Sequence, residues 1–125
     1  MGAEAGAVEN KRLPDEETTL FVYGSLIEQA CREKIIGREV ETAPARIRNY
    51  ERRRGRHFYL VRRAGIETAG HLLLGLTAQD FGKLDRYEDV PRLYTREKTS
   101  VIADDGTRVV CWMYVPTERL LEEGV

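Results

Sequence analysis

The segment Leu20–Leu26 has the sequence LFVYGSL, and it indicates how the chain around it folds. A short apolar run, residues 19–23, stops at the Gly24-Ser25 step, and such a run is typical of a strand buried on both faces. Gly24 has no Cβ, so a ligand can approach the backbone closely there. N–H groups that are exposed where a strand gives way to a helix can hold a carboxylate or a developing oxyanion. The segment therefore predicts a buried strand, and the turn after it either merely ends that strand or holds a ligand through its backbone.

The composition is that of a globular protein with one core. The chain has 125 residues, of which 42% are hydrophobic and 33% are charged, and its net charge is −1. A length of roughly 100–150 residues is the commonest size for one domain, and the charge gives no general attraction to nucleic acid or membrane. No apolar run approaches the roughly 20 residues that a membrane span needs.

The cysteines and histidines argue against a metal site. Cys31 and Cys111 lie far apart among apolar neighbours, which predicts reduced core thiols in a cytoplasmic protein rather than a disulfide. The two histidines, His57 and His71, are also isolated, and this spacing is not that of a set of metal ligands. We expect no metal or other cofactor.

The N-terminal residues differ in composition from the rest of the chain. Residues 1–18 are rich in glycine, alanine and acidic residues and have no hydrophobic period. Such a segment cannot bury enough apolar surface to offset the entropy of ordering it. The predicted organisation is a disordered leader over residues 1–18 and a single domain over residues 19–125.

The remaining pattern alternates short strands with helices. We predict a helix over 26–36 that Gly37 ends, an edge or bent strand over 39–50 because of Pro44, and strands over 57–61 and 67–76 joined by a turn at 64–65. Thr77 and Asp80 match a capping box that begins a helix running to about Tyr87. Asp105-Gly106 predicts a hairpin between 94–104 and 107–115, and residues 117–123 predict a short final helix. The fold class is therefore α+β, with about six strands in a mostly antiparallel or mixed sheet that curls, and with two or three helices beside it.

The helix after Thr77 carries a carboxylate on its apolar side. Phe81, Leu84 and Glu88 are spaced i, i+3 and i+7, which places them on one helix face, and Asp85 lies beside that stripe. In one interpretation the helix frays by Glu88 and the carboxylate reaches water. In the other, Glu88 lies at the mouth of the core, where loss of hydration raises its pKa and allows it to exchange a proton near neutral pH.

Two other features permit chemistry. Ser25 follows a glycine but lacks the Gly-x-Ser-x-Gly pattern, and only the two histidines are available as its base, so a serine nucleophile is the weaker hypothesis. Residues 46–63 contain eight arginines against one glutamate, with Tyr50, Phe58 and Tyr59 between them. This mixture suits single-stranded nucleic acid, but outward arginines on a solvated strand pair explain it better, because the domain as a whole is not basic.

Three motifs together resemble one known family. They are FVYGSL at 21–26, LDRYED at 84–89 and YTREKTSV at 94–101. In this order they resemble the γ-glutamylcyclotransferase-like family, within it the AIG2-like and γ-glutamylamine cyclotransferase branch, over about residues 20–115. The resemblance implies a mixed barrel, a catalytic glutamate at Glu88 and a match of Tyr94 to the family's Tyr-x-Arg element. It also implies a substrate-binding loop, formed by Tyr23, Gly24, Ser25, Leu26, Ile27 and Glu28.

The resemblance also implies an activity of the acyltransferase or lyase type. The α-amine of a small γ-glutamyl amide attacks its own γ-carbonyl, and 5-oxoproline and a free amine or amino acid are released without a cofactor. Two alternatives stay open: a binding module that senses a small anionic metabolite without turnover, and a nucleic-acid binder that uses residues 46–63. The sequence does not predict the leaving amine or the oligomeric state.

Overall fold

The computed structural model describes residues 13–123. Its strands are β1 (Leu20–Val22), β2 (Glu41–Arg54), β3 (Phe58–Leu74), β4 (Tyr94–Ala103) and β5 (Arg108–Pro116). Its helices are α1 (Gln29–Ile36), α2 (Ala78–Tyr87) and α3 (Glu118–Glu122), and a 3-10 turn, Ser25–Ile27, precedes α1.

The five strands close into a mixed barrel in the order β1-β3-β2-β4-β5. β5 returns to β1 in a parallel pairing, Leu20 opposite Trp112, whereas the other four pairings are antiparallel. The β2–β4 pairing is short and ends at Ala45. Pro44 lies one residue beyond it, where β2 has a neighbour only on the β3 side, so β2 is locally an edge, as Pro44 predicts. The predicted α+β fold with a curled, mixed sheet is confirmed.

The strand count is five because the two strands predicted at 57–61 and 67–76 are one strand, β3. The predicted turn at 64–65 is wrong. Gly65 has a φ of +85° and lies beside Asn49, whose φ is +66°, and the Gly65 N–H donates to Asn49 Oδ1 at 3.0 Å. The β2–β3 register shifts there, between Arg48 and Tyr50. The glycine therefore forms a bulge in a long hairpin rather than a chain reversal.

The helix predicted over 26–36 is divided at Glu28, which is extended. Arg32, which is only 6% exposed, donates from Nη1 to the Ile27 carbonyl at 2.6 Å. This side chain thus satisfies a backbone acceptor at the break, and the 3-10 turn stays separate from α1. Gly37 ends α1 in the left-handed conformation, as predicted.

The predictions for the second half of the chain are confirmed. Thr77 Oγ1 accepts from the Asp80 N–H at 3.1 Å, and Asp80 Oδ2 accepts from the Thr77 N–H at 2.9 Å, which completes the capping box of α2. β4 and β5 pair around Asp105-Gly106, and Thr117 caps α3.

The core has two parts separated by the barrel wall. In β1, Phe21 packs with Leu72 and Met113 inside the barrel, while Leu20 packs with Phe81 and other residues of the helices outside it. β1 is therefore buried on both faces, as predicted. Cys31 is half-buried, Cys111 is buried, and both are free thiols.

Part of the predicted leader is described by the structure, and residues 1–12 lie outside the described part. Lys98 Nζ donates to Glu17 at 2.7 Å and to Glu16 at 3.0 Å, and the Thr18 carbonyl accepts from the Leu76 N–H at 2.9 Å. Over residues 13–123 no helix has the length and apolar character needed to cross a membrane.

Candidate active site

A cavity of about 500 Å³ opens where β1 ends, a volume within the range of small-molecule sites. One side is the turn after β1, and a second is the C-terminal end of α2 with the loop that follows it. The third is the tip of the β2–β3 hairpin. Together these elements contribute Tyr23, Gly24, Ser25, Leu26, Tyr87, Glu88, Asp89, Arg92, Tyr94, Arg54, Arg56, His57 and Phe58 to the lining.

The turn after β1 is held from several directions. The Tyr23 hydroxyl donates to the Tyr114 carbonyl at 2.7 Å, and the Tyr23 carbonyl accepts from Arg52 Nη1 at 2.8 Å. Gly24 lies directly against Phe58, because a Cβ added to Gly24 would come within 3.1 Å of Phe58 Cβ. The glycine therefore lets the turn approach the hairpin tip.

Glu88 follows the last residue of α2, and its N–H still donates to the Leu84 carbonyl at 2.9 Å. The side chain is half-buried and faces the cavity. Burial, and secondly the nearby Asp85 carboxylate, raise the pKa of Glu88 to about 7. This is the geometry of the second interpretation above, in which the carboxylate lies at the mouth of the core.

Asp85, by contrast, is tightly paired. Its carboxylate accepts from Arg96 at 2.9 and 3.2 Å and from the Tyr114 hydroxyl at 2.6 Å. The Arg96 guanidinium also stacks over the rings of Phe81 and Trp112, at 4.5 and 4.8 Å from their centroids. Asp85 is thus a fixed negative charge beside Glu88, and Arg96 pairs with Asp85 rather than with Glu88.

Two phenols in the cavity stay protonated. The Tyr94 hydroxyl donates to the Phe58 carbonyl at 2.6 Å, and burial, followed by the Glu88 charge, raises the pKa of Tyr94 above its usual range. Burial likewise raises the pKa of Tyr23. Neither phenol is therefore available as a base near neutral pH.

The Ser25 hydroxyl is paired with a phenol rather than with a histidine or a carboxylate. It is hydrogen-bonded to the Tyr87 hydroxyl at 2.8 Å, and burial raises the pKa of Tyr87. A neutral phenol does not activate a serine, so the geometry disfavours a serine nucleophile. Among residues 13–123, no group of three His, Cys, Asp or Glu side chains is arranged to hold a metal ion.

The structure brings together most of the residues that the sequence singled out. Tyr23, Gly24, Ser25, Leu26, Glu88 and Tyr94 all line the cavity. Ile27 and Glu28 are not among the lining residues, and their N–H groups already donate to the Gly24 and Ser25 carbonyls.

The sequence did not predict that the tip of the β2–β3 hairpin lines the cavity, or that Arg32 is buried beside the turn after β1. Arg54, Arg56, His57 and Phe58 reach the cavity because β2 and β3 are longer than predicted. No local pattern in the sequence reports a hairpin length that depends on the bulge at Asn49 and Gly65. Arg32 likewise lies in a helix pattern that gives no sign of its burial.

Comparison with curated proteins gives one relative, and its name includes the term gamma-glutamylcyclotransferase. This protein of Methanocaldococcus jannaschii, named gamma-glutamylcyclotransferase and putative RNase, is 27% identical over 99 residues. The match covers 77% of the present chain and 45% of the relative, so the chain spans less than half of that protein's length.

Solved structures share the fold. A solution structure from Arabidopsis thaliana has a TM-score of 0.72 at 23% identity, covering 82% of this chain and 70% of that one. A structure titled gamma-glutamyl cyclotransferase has a TM-score of 0.71 at 16% identity, covering 80% and 66%. A mouse AIG2-like protein has a TM-score of 0.63 at 22% identity, covering 84% and 80%. The family model described as gamma-glutamyl cyclotransferase, AIG2-like, matches residues 20–124, and the chain therefore belongs to this family.

Proposed function

We propose that the protein is a γ-glutamyl cyclotransferase that converts a γ-glutamyl amide into 5-oxoproline and a free amine. The observation that carries the proposal is the placement of Glu88, a half-buried carboxylate with a pKa of about 7, in a cavity across from the turn after β1. A group whose pKa lies near the working pH is well suited to both accept and return a proton.

The reaction needs one proton shuttle and a folded substrate. Glu88 takes a proton from the α-ammonium group, and the freed amine attacks the γ-carbonyl carbon to form the lactam C–N bond. The amide C–N bond then breaks as Glu88 returns its proton to the leaving nitrogen, and the second proton on the lactam nitrogen passes to the released amine, which leaves as an ammonium ion. The nucleophile and the carbonyl belong to one molecule. Holding them in the reactive orientation can therefore lower the activation barrier by roughly 7–11 kcal/mol.

The turn after β1 is proposed to bind the polar end of the substrate through its backbone. The Ile27 and Glu28 N–H groups are used inside the 3-10 turn, so the N–H groups at Gly24, Ser25 and Leu26 are the ones proposed to face a carboxylate or the developing oxyanion. Of the predicted substrate-binding loop, residues 23–28, we therefore propose that residues 23–26 contact the substrate directly. Tyr94 would bound the cavity as a neutral phenol.

The decisive experiment asks which product forms. The protein is incubated with a panel of γ-glutamyl amines and γ-glutamyl dipeptides, and 5-oxoproline and glutamate are quantified by mass spectrometry. Cyclisation predicts 5-oxoproline alone, and no turnover of the same substrates when their α-amine is acetylated, because the nucleophile is then lost. Release of glutamate, or turnover of the acetylated substrates, would instead indicate hydrolysis by water and would refute the mechanism.

A binding module on the same fold is the main alternative. It predicts saturable binding of a γ-glutamyl compound with no product from any member of the panel. The pKa of Glu88 favours the enzyme, because ligand binding alone gains nothing from a carboxylate poised near neutral pH.

A nucleic-acid role is the weaker candidate, although the name of the Methanocaldococcus jannaschii relative includes a putative RNase. Four of the eight arginines in residues 46–63 are paired with carboxylates of the same hairpin: Arg46 and Arg48 with Glu67, and Arg53 and Arg63 with Glu51. The test is the affinity for single-stranded RNA before and after Arg52, Arg53 and Arg54 are changed to Ala. An unchanged affinity excludes this role.

A further inference from the structure

The hairpin tip places positive charge on the cavity wall. Arg54 ends β2, and Arg56 and His57 follow it in the connection to β3. All three are exposed side chains that line the cavity. The Arg54 guanidinium stacks over the Phe58 ring at 5.0 Å from its centroid, which holds its stem at the cavity edge and leaves its N–H groups available.

Most other arginines around this site already have a carboxylate. Arg92, on the loop after α2, pairs with Asp89 at 2.7 Å and with Glu123 at 3.4 Å, and Arg53 pairs with Glu51 at 3.1 Å. The pKa of Glu123 is lowered by its hydrogen bond from Arg119 and also by the charge of Arg56, so Arg56 interacts with this carboxylate at longer range. Among residues 13–123, however, no carboxylate forms a direct ion pair with Arg54 or Arg56.

The proposed chemistry leaves these two groups without a role. The α-ammonium group belongs beside Glu88, and the γ-glutamyl carboxylate or oxyanion belongs at the turn after β1. The leaving amine must then extend away from both, toward the remaining wall, which is the hairpin tip. Guanidinium groups bind carboxylates through parallel N–H···O hydrogen bonds, and they do so better than other side chains.

We propose that Arg54 and Arg56 recognise a carboxylate on the leaving group, so that the preferred substrates are γ-glutamyl amides of amino acids rather than of neutral amines. This inference rests on the proposed function, because it assigns the leaving-group side of the same cavity. Arg54 and Arg56 are then specificity-determining residues that take no part in proton transfer.

The test uses two substrates that differ by one charge, γ-glutamyl-alanine and γ-glutamyl-alaninamide. We expect kcat/KM to be roughly tenfold higher for the acid, since each ion pair at an exposed site contributes a modest factor. In the double variant Arg54→Gln/Arg56→Gln, kcat/KM should fall for the acid and stay unchanged for the amide. The preference should also weaken as salt is raised.

The matched control is Arg62→Gln. Arg62 belongs to the same hairpin and stacks over Tyr50 at 5.4 Å, but it is not among the residues that line the cavity. It should keep the preference for the acid. A melting curve for each variant shows whether the fold is retained.

The outcomes separate this inference from the proposed function. Equal kcat/KM for both substrates, or an equal loss for both in the double variant, overturns the inference while the cyclotransferase stands. If no γ-glutamyl compound of the panel is turned over, the proposed function fails, and calorimetric binding of the two alanine compounds still decides the inference. Tighter binding of γ-glutamyl-alanine that disappears in the double variant supports it, and equal binding of the two overturns it.

Discussion

At the scale of single residues, the site depends on the different surroundings of two neighbouring carboxylates, Asp85 and Glu88. Asp85 accepts hydrogen bonds from Arg96 and Tyr114, which hold its carboxylate in place. Among the described residues, none donates a side-chain hydrogen bond to Glu88, and burial beside the Asp85 charge raises the pKa of Glu88 to about 7. Two acidic groups with different environments can therefore have different roles, one as a fixed charge and the other as a proton carrier.

The first prediction concerns the activity of Glu88→Gln. The amide keeps the size of the side chain but cannot accept the ammonium proton, so turnover should fall by roughly 10²–10⁴, measured as 5-oxoproline released. The control is Glu97→Gln, which removes an exposed carboxylate that does not line the cavity and should leave turnover unchanged. Wild-type turnover in a folded Glu88→Gln variant would rule out the mechanism.

The same substitution predicts a pH-dependent change in stability. The folded pKa of Glu88, about 7, lies above its ordinary value of 4.5, so the folded chain holds this proton longer than the unfolded chain does. The contribution of Glu88 to stability is therefore lost as pH rises from about 4.5 to 7. Melting curves should show Glu88→Gln to be more stable than the wild type at pH 8, by roughly 1–3 kcal/mol, and equal to it near pH 4.5. An equal difference at both pH values would contradict the shifted pKa.

At the scale of elements, the sequence predicted best where the signal was local. The capping box of Thr77 and Asp80 and the hairpin at Asp105-Gly106 depend on residues a few positions apart, and both are found. The Ala64-Gly65 turn was wrong because the same glycine serves a turn or a bulge, and the choice depends on Asn49 in the partner strand. The same difference holds for the site residues. The turn after β1 and Glu88 lie in local sequence patterns that predicted them, whereas the hairpin tip has no such pattern.

The third prediction concerns the contact between the β1 turn and that hairpin tip. The absence of a Cβ at Gly24, which lines the cavity, lets a ligand approach the backbone, and a Cβ there would also press on the Phe58 side chain at 3.1–3.4 Å. We expect Gly24→Val to displace Phe58, and with it the Arg54 stacked on its ring. Affinity for γ-glutamyl-alanine should fall at least tenfold by calorimetry.

The control for this substitution is Gly82→Val in α2, where a new Cβ would meet only the end of Arg86, at 4.0 Å. Valine is the better helix former of the two residues, so this variant should bind γ-glutamyl-alanine as the wild type does. If Gly24→Val also binds normally while folded, the turn and the tip do not depend on each other.

At the scale of the whole molecule, barrel closure links residues that are distant in sequence. Strand β1 has only three residues, but it pairs with β3 on one side and with β5 on the other, and the cavity opens at its end. The sequence predicted a curled sheet but not its closing partners, because pairings such as Leu20 with Trp112 have no local signal. The segment before β1 lies along this same closure, since the Trp112 N–H donates to the Thr19 carbonyl at 2.9 Å.

The last prediction therefore tests where the folded unit begins. The composition of residues 1–18 predicts that all of them are dispensable, and we expect this of residues 1–14. From Asp15 onward the contacts differ, because the Asp15 carbonyl accepts from the buried Thr19 hydroxyl at 2.6 Å and Glu16 and Glu17 pair with Lys98. A chain that starts at Thr19 should lose roughly 1–3 kcal/mol, mostly from the Thr19 hydroxyl and the Leu76 N–H, which lose the Asp15 and Thr18 carbonyls, since exposed ion pairs contribute little. Melting curves of chains starting at residues 1, 15 and 19 make the comparison, and a loss of 1 kcal/mol lowers Tm by roughly 4–8 °C in a domain of this size.

Lys98→Ala in the full chain is the control, and it should reproduce only the small ion-pair part of the loss. Identical melting temperatures for all three chains would show that residues 15–18 add nothing to the fold, and a drop already at residue 15 would place its start earlier.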